Sequence, residues 1–141
     1  MLEQREADDL VESPVESPFK GKTGIARVVR AFFYSMAGLS AAWKHEGAFR
    51  QEVMLAAVMI PVACFVPVAA VERAMLIATV LLVLVVELLN SSIEAAIDRI
   101  STDRHELSKR AKDAGSAAVF VALVLCVLVW AILLGPLLLR P

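Results

Sequence analysis

Residues 74–99 read AMLIATVLLVLVVELLNSSIEAAIDR, a largely apolar run that passes into a segment with two glutamates, an asparagine and an aspartate. The run resembles the start of a membrane-spanning helix, but only 13 uncharged residues, 74–86, precede Glu87. A spanning helix needs about 20 predominantly apolar residues. The fold therefore depends on whether this stretch crosses a membrane despite its polar half.

Two other stretches are long enough to span without interruption. Residues 53–71 are 19 uncharged residues that include Pro61 and Pro67, and residues 114–139 are 26 uncharged residues. Spanning helices tolerate proline as a kink. The chain is 59% hydrophobic, above the roughly 45–50% typical of soluble domains, and its net charge of −1 gives no indication of nucleic-acid binding. We predict an all-α membrane protein with spans at about residues 50–71, 74–98 and 114–139.

Two different segments precede the first span. Residues 1–24 are acidic and contain the tandem VESPVESP, with too little apolar surface to offset the entropy of ordering, so we predict a disordered tail. Residues 25–48 place apolar side chains on one helical face, with Arg27 and Arg30 opposite. A soluble core helix is one interpretation. Because spans follow directly, we favour a helix lying in the headgroup layer, within a single membrane domain of residues 25–141.

Lysine and arginine residues are concentrated on one side of the predicted spans. Seven precede the first span and five lie between the second and third, whereas only Arg73 and Arg140 lie on the other side. The positive-inside rule then predicts a cytoplasmic N-terminus, a cytoplasmic loop at residues 99–113 and a C-terminus on the outside, which is the periplasm if the membrane is a bacterial inner membrane. The connection around VERA, residues 71–74, is very short, so the first two spans should form an antiparallel pair.

Four polar residues of the second span share one helical face, within a sector of roughly 80°: Glu87, Asn90, Glu94 and Asp98. Ionisable groups inside a bilayer are costly and usually face a cavity or a partner. Hydrogen bonding between helices would explain Asn90 alone, but a carboxylate needs a cation or a proton. The line therefore indicates either proton or ion passage through a small transporter, or chemistry at the membrane interface with carboxylates that bind a metal.

Residues near the cytoplasmic ends favour interfacial chemistry. Glu46 and Glu52 flank the entry to the first span, and a second polar group shares one face before the third: Lys109, Lys112, Asp113 and Ser116. Carboxylates bind Mg²⁺ and a lysine neutralises phosphate charge, so these groups suit a metal-bound triphosphate. The lysines are equally compatible with an ordinary positive-inside flank. The sequence has no Walker A or kinase-type glycine loop, so phosphoryl transfer would need another architecture.

The segments VELLNSSIEAAIDRI (86–100) and HELSKRAKDAGSAAV (105–119) resemble the signature of the prokaryotic diacylglycerol kinase family. AAWKHEGAFRQE (41–52) and TGIARVVRAFFYS (23–35) match its pre-span and amphipathic segments, so the resemblance covers roughly residues 23–134. It implies a homotrimeric helical bundle in the bacterial cytoplasmic (inner) membrane, with active sites between neighbouring subunits. It also implies transfer of the γ-phosphate of ATP, with Mg²⁺, to diacylglycerol, giving phosphatidic acid in phospholipid recycling.

The resemblance also implies roles for individual residues. Glu87 is expected to be the general base, and Glu46 and Glu94 to bind the metal with ATP. The expected ATP-binding residues are Arg27, Tyr34, Glu46, Glu94, Asp103, Arg104, His105, Lys112 and Asp113. The expected lipid-substrate residues are Glu52, Glu87, Asn90 and Ser116, with Asp98 as a further polar position. The chain departs from the family pattern at His45, where asparagine is frequent, and at Arg104, where an aromatic residue is common.

Two alternatives to a diacylglycerol kinase follow from the same residues. An undecaprenol kinase shares this architecture and these motifs, and lipid-facing apolar residues do not reveal the tail of the acceptor. The long amphipathic segment at residues 23–35 favours diacylglycerol. The alternative from another class is a small proton- or ion-conducting protein or a structural trimer.

Overall fold

The structure, a computed structural model, describes residues 24–100 and 105–138, and every regular element within them is an α-helix. The helices are α1 (Ile25–His45), α2 (Gly47–Phe65), α3 (Ala70–Ile100) and α4 (Glu106–Leu138). The last three are long and apolar enough to cross a membrane. The predicted all-α class, with one helix ahead of three spans, is confirmed. The tail predicted at residues 1–24 lies outside the described residues, apart from Gly24.

The chain divides into two compact units, one ending at Ala37 and the other beginning at Gly38. In the first unit, Gly24 has φ +95°, a conformation that glycine adopts without strain. Its carbonyl accepts a hydrogen bond of 3.0 Å from the Arg27 amide, which opens α1. All described residues of this unit are exposed, including Phe32 and Phe33. An amphipathic helix with an uncovered apolar face is typical of a segment that lies against another apolar surface.

A sharp junction separates α1 from α2. Glu46 is extended, with φ −104° and ψ 114°, so α1 ends at His45 instead of residue 48, and α2 begins at Gly47 instead of residue 50. Arg50 Nη1 donates to the carbonyls of Trp43 (3.0 Å) and Lys44 (3.3 Å). One guanidinium group thus satisfies two carbonyls that the end of α1 leaves without helical partners.

The first span is shorter than the apolar run that encodes it. Pro61 lies inside α2 as predicted, but α2 ends at Phe65, so the prediction that Pro67 kinks this span is wrong. Val66 has φ −66° and ψ 140°, because the residue before a proline is disfavoured in the helical region. Pro67 therefore lies in the turn between α2 and α3.

The VERA segment opens α3 and does not form the connection predicted for it. The Ala69 amide donates to Glu72 Oε2 at 2.8 Å, an arrangement in which a glutamate at the third helical position caps the helix start. Arg73 Nη2 donates to the carbonyl of Val66 at 3.3 Å, across the turn. The actual connection is residues 66–69, and it is short enough to keep α2 and α3 antiparallel neighbours.

Helix α3 is central, because it packs against both α2 and α4. Its buried residues are Leu76, Val80, Val83, Glu87 and Asn90. At 100° per residue they fall within the same sector of roughly 80° as Glu94 and Asp98. The polar line predicted from the sequence is therefore a continuation of the apolar face on which α3 packs.

Small side chains line the helices that pack on α3. The main buried cluster consists of Ala56 of α2, Val80 and Val83 of α3, and Ala122 and Cys126 of α4. In lipid the hydrophobic effect contributes little to helix association, and small residues allow the close van der Waals packing that replaces it. This packing determines how closely the polar half of α3 approaches its neighbours.

Two side-chain contacts tie α3 to α4. Trp130 Nε1 donates to the carbonyl of Leu76 at 3.2 Å near one end of the pair. Lys112 Nζ donates to Asp98 Oδ1 at 2.5 Å near the other end. Contacts of this kind at both ends establish an antiparallel register for the two helices.

Residues 99–113, predicted as the loop between the second and third spans, are partly helical. Helix α3 continues to Ile100 and α4 begins at Glu106, eight residues before the apolar stretch that starts at residue 114. With 31 and 33 residues, the two helices rise roughly 46 and 50 Å, more than the roughly 30 Å of a hydrocarbon core. Their polar ends therefore extend beyond the apolar layer as helix, while residues 101–104 lie outside the described parts of the chain.

Candidate functional site

The polar line of α3 passes from the packed interior to the surface. Glu87 is 4% exposed and Asn90 is 9% exposed. Glu94, one turn further, is half-buried, and the Asp98 side chain is 62% exposed. The line therefore offers a buried carboxylate at one end and accessible ones at the other, along a single helix face.

Glu52 of α2 and Glu46, the residue before α2, lie close to this line and form a carboxylate cluster with Glu87 and Glu94. The negative charges of Glu94 and Glu46 repel that of Glu87, and the charge of Glu87 repels that of Glu52. This grouping follows from the antiparallel packing of α2 and α3, which brings the start of α2 to the later half of α3. A group of like charges with partial burial requires a cation or a proton to offset its repulsion.

Several oxygens of this cluster are free of the helix framework. Glu46 occupies the N-cap position of α2, but its side chain makes no capping hydrogen bond there. Oε2 of Glu52 is buried without a hydrogen-bond partner among the described residues. Carboxylate oxygens that do not cap helices remain available for a ligand.

The cluster suits a metal ion that brings some of its own ligands. Among residues 24–100 and 105–138, no group of three or more acidic, histidine or cysteine side chains is arranged to hold a metal ion. Mg²⁺ is usually bound by one or two carboxylates together with waters and substrate phosphates. Glu46 and Glu94 fit that pattern, since both lie within electrostatic reach of Glu87 and the Glu46 side chain makes no capping hydrogen bond.

Asn90 is the residue of the polar line that lies against α4. Its Nδ2 donates to Glu94 Oε1 at 3.1 Å, and its Oδ1 is buried without a partner among the described residues. The facing residue is Gly115, where an added Cβ would overlap Asn90 Oδ1 and lie 3.2 Å from its Cγ. Gly115 was not among the site residues predicted from the sequence. A glycine inside a long helix costs about 1 kcal/mol relative to alanine, so its presence usually has a packing or functional reason.

Helix α4 brings one of its predicted nucleotide residues to the line. Lys112 pairs with Asp98 and thereby lies beside the exposed end of the polar face of α3. Asp113 and Ser116 are exposed near the start of the same helix. His105 precedes α4, and its Nδ1 accepts a hydrogen bond of 3.2 Å from the amide of Leu107.

The remaining predicted residues are not brought to this cluster by any described contact. Arg27 and Tyr34 are exposed on the part of α1 that belongs to the first unit, seven residues apart and hence on one face. Asp103 and Arg104 lie outside the described residues. His45 is exposed at the end of α1, which agrees with a solvated interfacial position.

The family model for prokaryotic diacylglycerol kinase matches residues 33–134. The chain is similar to a protein from Pseudomonas aeruginosa named diacylglycerol kinase, with 58% identity over 120 residues, 84% of this chain and 98% of that protein. Proteins of the same name from Escherichia coli K12 and Haemophilus influenzae are 51% identical over 112 residues and 48% identical over 108 residues. Those two matches cover 79% and 77% of this chain and 92% of each relative.

Proposed function

Because the chain belongs to the prokaryotic diacylglycerol kinase family and is thus a membrane kinase, we propose that it transfers the γ-phosphate of ATP to the hydroxyl of diacylglycerol, giving phosphatidic acid. The observation that carries this proposal is the line of carboxylates from buried Glu87 to half-buried Glu94. These residues are separated by a helix rise of roughly 10 Å. A site of this form can receive a lipid hydroxyl from the membrane side and ATP from the water side.

Each end of the line has a proposed role. Glu87 accepts the proton of the lipid hydroxyl at its carboxylate, which requires a position within hydrogen-bond reach of that hydroxyl. Glu46 and Glu94 would hold Mg²⁺ together with the nucleotide, and the ion, when bound, would supply positive charge beside the phosphates. Lys112 adds positive charge beside the exposed end of the line. Phosphoryl transfer depends on such alignment and electrostatic stabilisation more than on covalent chemistry.

The resemblance supports proposed roles for the residues that surround this line. The nucleotide-binding group is Arg27, Tyr34, Asp103, Arg104, His105 and Asp113. The lipid-side group is Glu52, Asn90 and Ser116. Glu52 has the most direct structural support in the second group, because it lies near Glu87 and one of its oxygens is buried without a partner among the described residues.

The names of the relatives support diacylglycerol over undecaprenol as the acceptor. The test is a paired assay in which purified protein, Mg²⁺ and ATP labelled at the γ-phosphate are supplied with one lipid or the other in mixed micelles. We expect label in phosphatidic acid, with much slower labelling of undecaprenol. Faster labelling of undecaprenol would reverse the choice of acceptor, and no label in either lipid would contradict a kinase.

We also propose that the chain works as a homotrimer in the bacterial inner membrane, with a cytoplasmic N-terminus and shared active sites. The distribution of lysine and arginine supports the orientation. All three long helices expose large apolar side chains, for example Met54, Leu82 and Leu128, which either lipid or a neighbouring subunit would cover. Mass measurement of the detergent-solubilised protein tests the assembly, because a monomer at working concentration contradicts it.

A further inference from the structure

We infer that Gly115 is a positioning residue for the site. Its missing side chain lets α4 lie against the amide of Asn90, and that amide in turn holds the carboxylate of Glu94. This inference rests on the proposed function, in which Glu94 binds Mg²⁺ with the nucleotide. Gly115 itself touches no reacting group in this account and acts only through Asn90.

The chemistry of the two partners determines the orientation of the amide. An ionised carboxylate only accepts hydrogen bonds, so Asn90 must direct its NH₂ group towards Glu94, as the 3.1 Å contact from Nδ2 to Oε1 shows. Oδ1 of Asn90 must then face the other way, and that direction is occupied by the backbone of Gly115. The amide is thus held between a charged acceptor on its own helix and the closest approach of α4.

Any side chain at residue 115 would compete for the space of this amide. A Cβ added to Gly115 overlaps Oδ1 of Asn90, which is the end of a side chain and not part of the backbone. Rotation of Asn90 relieves the overlap without separating the helices, but the rotation breaks the hydrogen bond to Glu94. The helix itself gains from the change, since alanine favours a helix over glycine. Gly115→Ala should therefore preserve the fold and disturb the site.

Loss of this hydrogen bond should weaken metal binding. Groups that orient a metal-binding carboxylate from the second layer typically change metal affinity by roughly 10- to 100-fold when removed. The Asn90 contact is of this kind, because it orients the carboxylate of Glu94, which would hold the ion. We therefore expect a weaker response to the metal and little change in the folding of the protein.

The experiment compares Gly115→Ala, Asn90→Ala and the double variant, with Gly135→Ala as the matched control. Gly135 lies in the same helix, but a Cβ added there meets nothing within 4 Å. Mn²⁺ binding is measured by electron paramagnetic resonance in the presence of a non-hydrolysable ATP analogue. Thermal unfolding in detergent and a Mg²⁺ titration of kinase activity are measured on the same preparations.

We expect Gly115→Ala and Asn90→Ala to weaken Mn²⁺ binding by roughly tenfold or more, with unfolding temperatures near that of the wild type. The double variant should match Asn90→Ala alone, because once the amide is absent a methyl group at residue 115 has nothing to displace. Gly135→Ala should match the wild type in Mn²⁺ binding and in the Mg²⁺ titration, with an unfolding temperature equal to or above that of the wild type. The comparison of the double variant with Asn90→Ala remains informative even if Gly115→Ala alone unfolds.

Three results would overturn the inference. They are wild-type Mn²⁺ binding by Gly115→Ala, a further loss of binding when Gly115→Ala is added to Asn90→Ala, and unfolding of both the single and the double glycine variants. Each would mean that Gly115 serves only the packing of α3 against α4. A wild-type protein that binds Mn²⁺ but labels no lipid contradicts the proposed kinase instead, and the binding comparison still tests Gly115.

Discussion

Glu87→Gln separates the chemical role of Glu87 from its structural one. The substitution keeps the length and shape of a side chain that is 4% exposed, and it removes one negative charge and the ability to take a proton. A positioned general base contributes roughly 10²–10⁴-fold to a reaction rate. We therefore expect kcat to fall by that factor, equivalent to about 3–5 kcal/mol of transition-state stabilisation.

The same change should leave the fold intact or stabilise it. Glu87 is repelled by the charges of Glu94 and Glu46, and a neutral amide in its place removes that repulsion. A buried amide is also less costly to desolvate than a buried carboxylate. The unfolding temperature in detergent should therefore stay constant or rise, and the KM for ATP should change little because Glu87 is not one of the proposed metal-binding residues.

Glu72→Gln is the matched control, because it makes the identical replacement at the start of the same helix. Glu72 accepts a hydrogen bond from the Ala69 amide, and glutamine also serves at this capping position. Initial rates of phosphatidic acid formation, thermal unfolding and ATP titrations should show normal behaviour for Glu72→Gln. Near-native turnover of Glu87→Gln refutes its assignment as base, and a large loss of stability refutes the account of charge repulsion.

Three further changes test the metal site, the core and the surface pair. Glu94→Ala should raise the Mg²⁺ concentration for half-maximal activity by roughly tenfold or more, and an unchanged Mg²⁺ titration at saturating lipid counts against the metal role. Leu76→Ala removes a fully buried side chain between packed helices and should reduce the free energy of unfolding by about 2–5 kcal/mol. A loss below about 1 kcal/mol would contradict tight packing at this position. Asp98→Asn removes the ion pair with Lys112. Because the Asp98 side chain is 62% exposed and that of Lys112 is 37% exposed, the free energy of unfolding should change by less than about 1 kcal/mol. A larger loss in thermal unfolding would show that the pair has a structural role.

The helix class, the number of spans and the polar line could be predicted from the sequence. Hydropathy identifies the apolar core of each span, and the helical period places Glu87, Asn90 and Glu94 on one face regardless of tertiary contacts. Both features are local properties of the chain. Within the residues that it describes, the structure contains four helices, and it shows that this face is buried as far as Asn90 and becomes accessible at Glu94.

Helix ends were less predictable, because hydropathy reports which residues suit lipid and not where a helix stops. Helix α4 begins at Glu106, eight residues ahead of the apolar run, since glutamate, lysine and arginine favour a helix and can extend it into water beyond the apolar layer. The opposite holds at the end of α2: Val66 and Pro67 are apolar but lie outside the helix, because proline restricts the backbone of the residue before it.

The sequence is enough to place Glu87, Asn90 and Glu94 in a line on a membrane helix, because spacing along one helix sets their relative directions. Which side chains this line meets depends on how the helices pack. The packing of α2 on α3 brings Glu46 and Glu52 to Glu87, and the packing of α4 brings Gly115 against Asn90. These approaches depend on how small residues allow the helices to fit together, a property of pairs of helices that no single stretch of sequence contains.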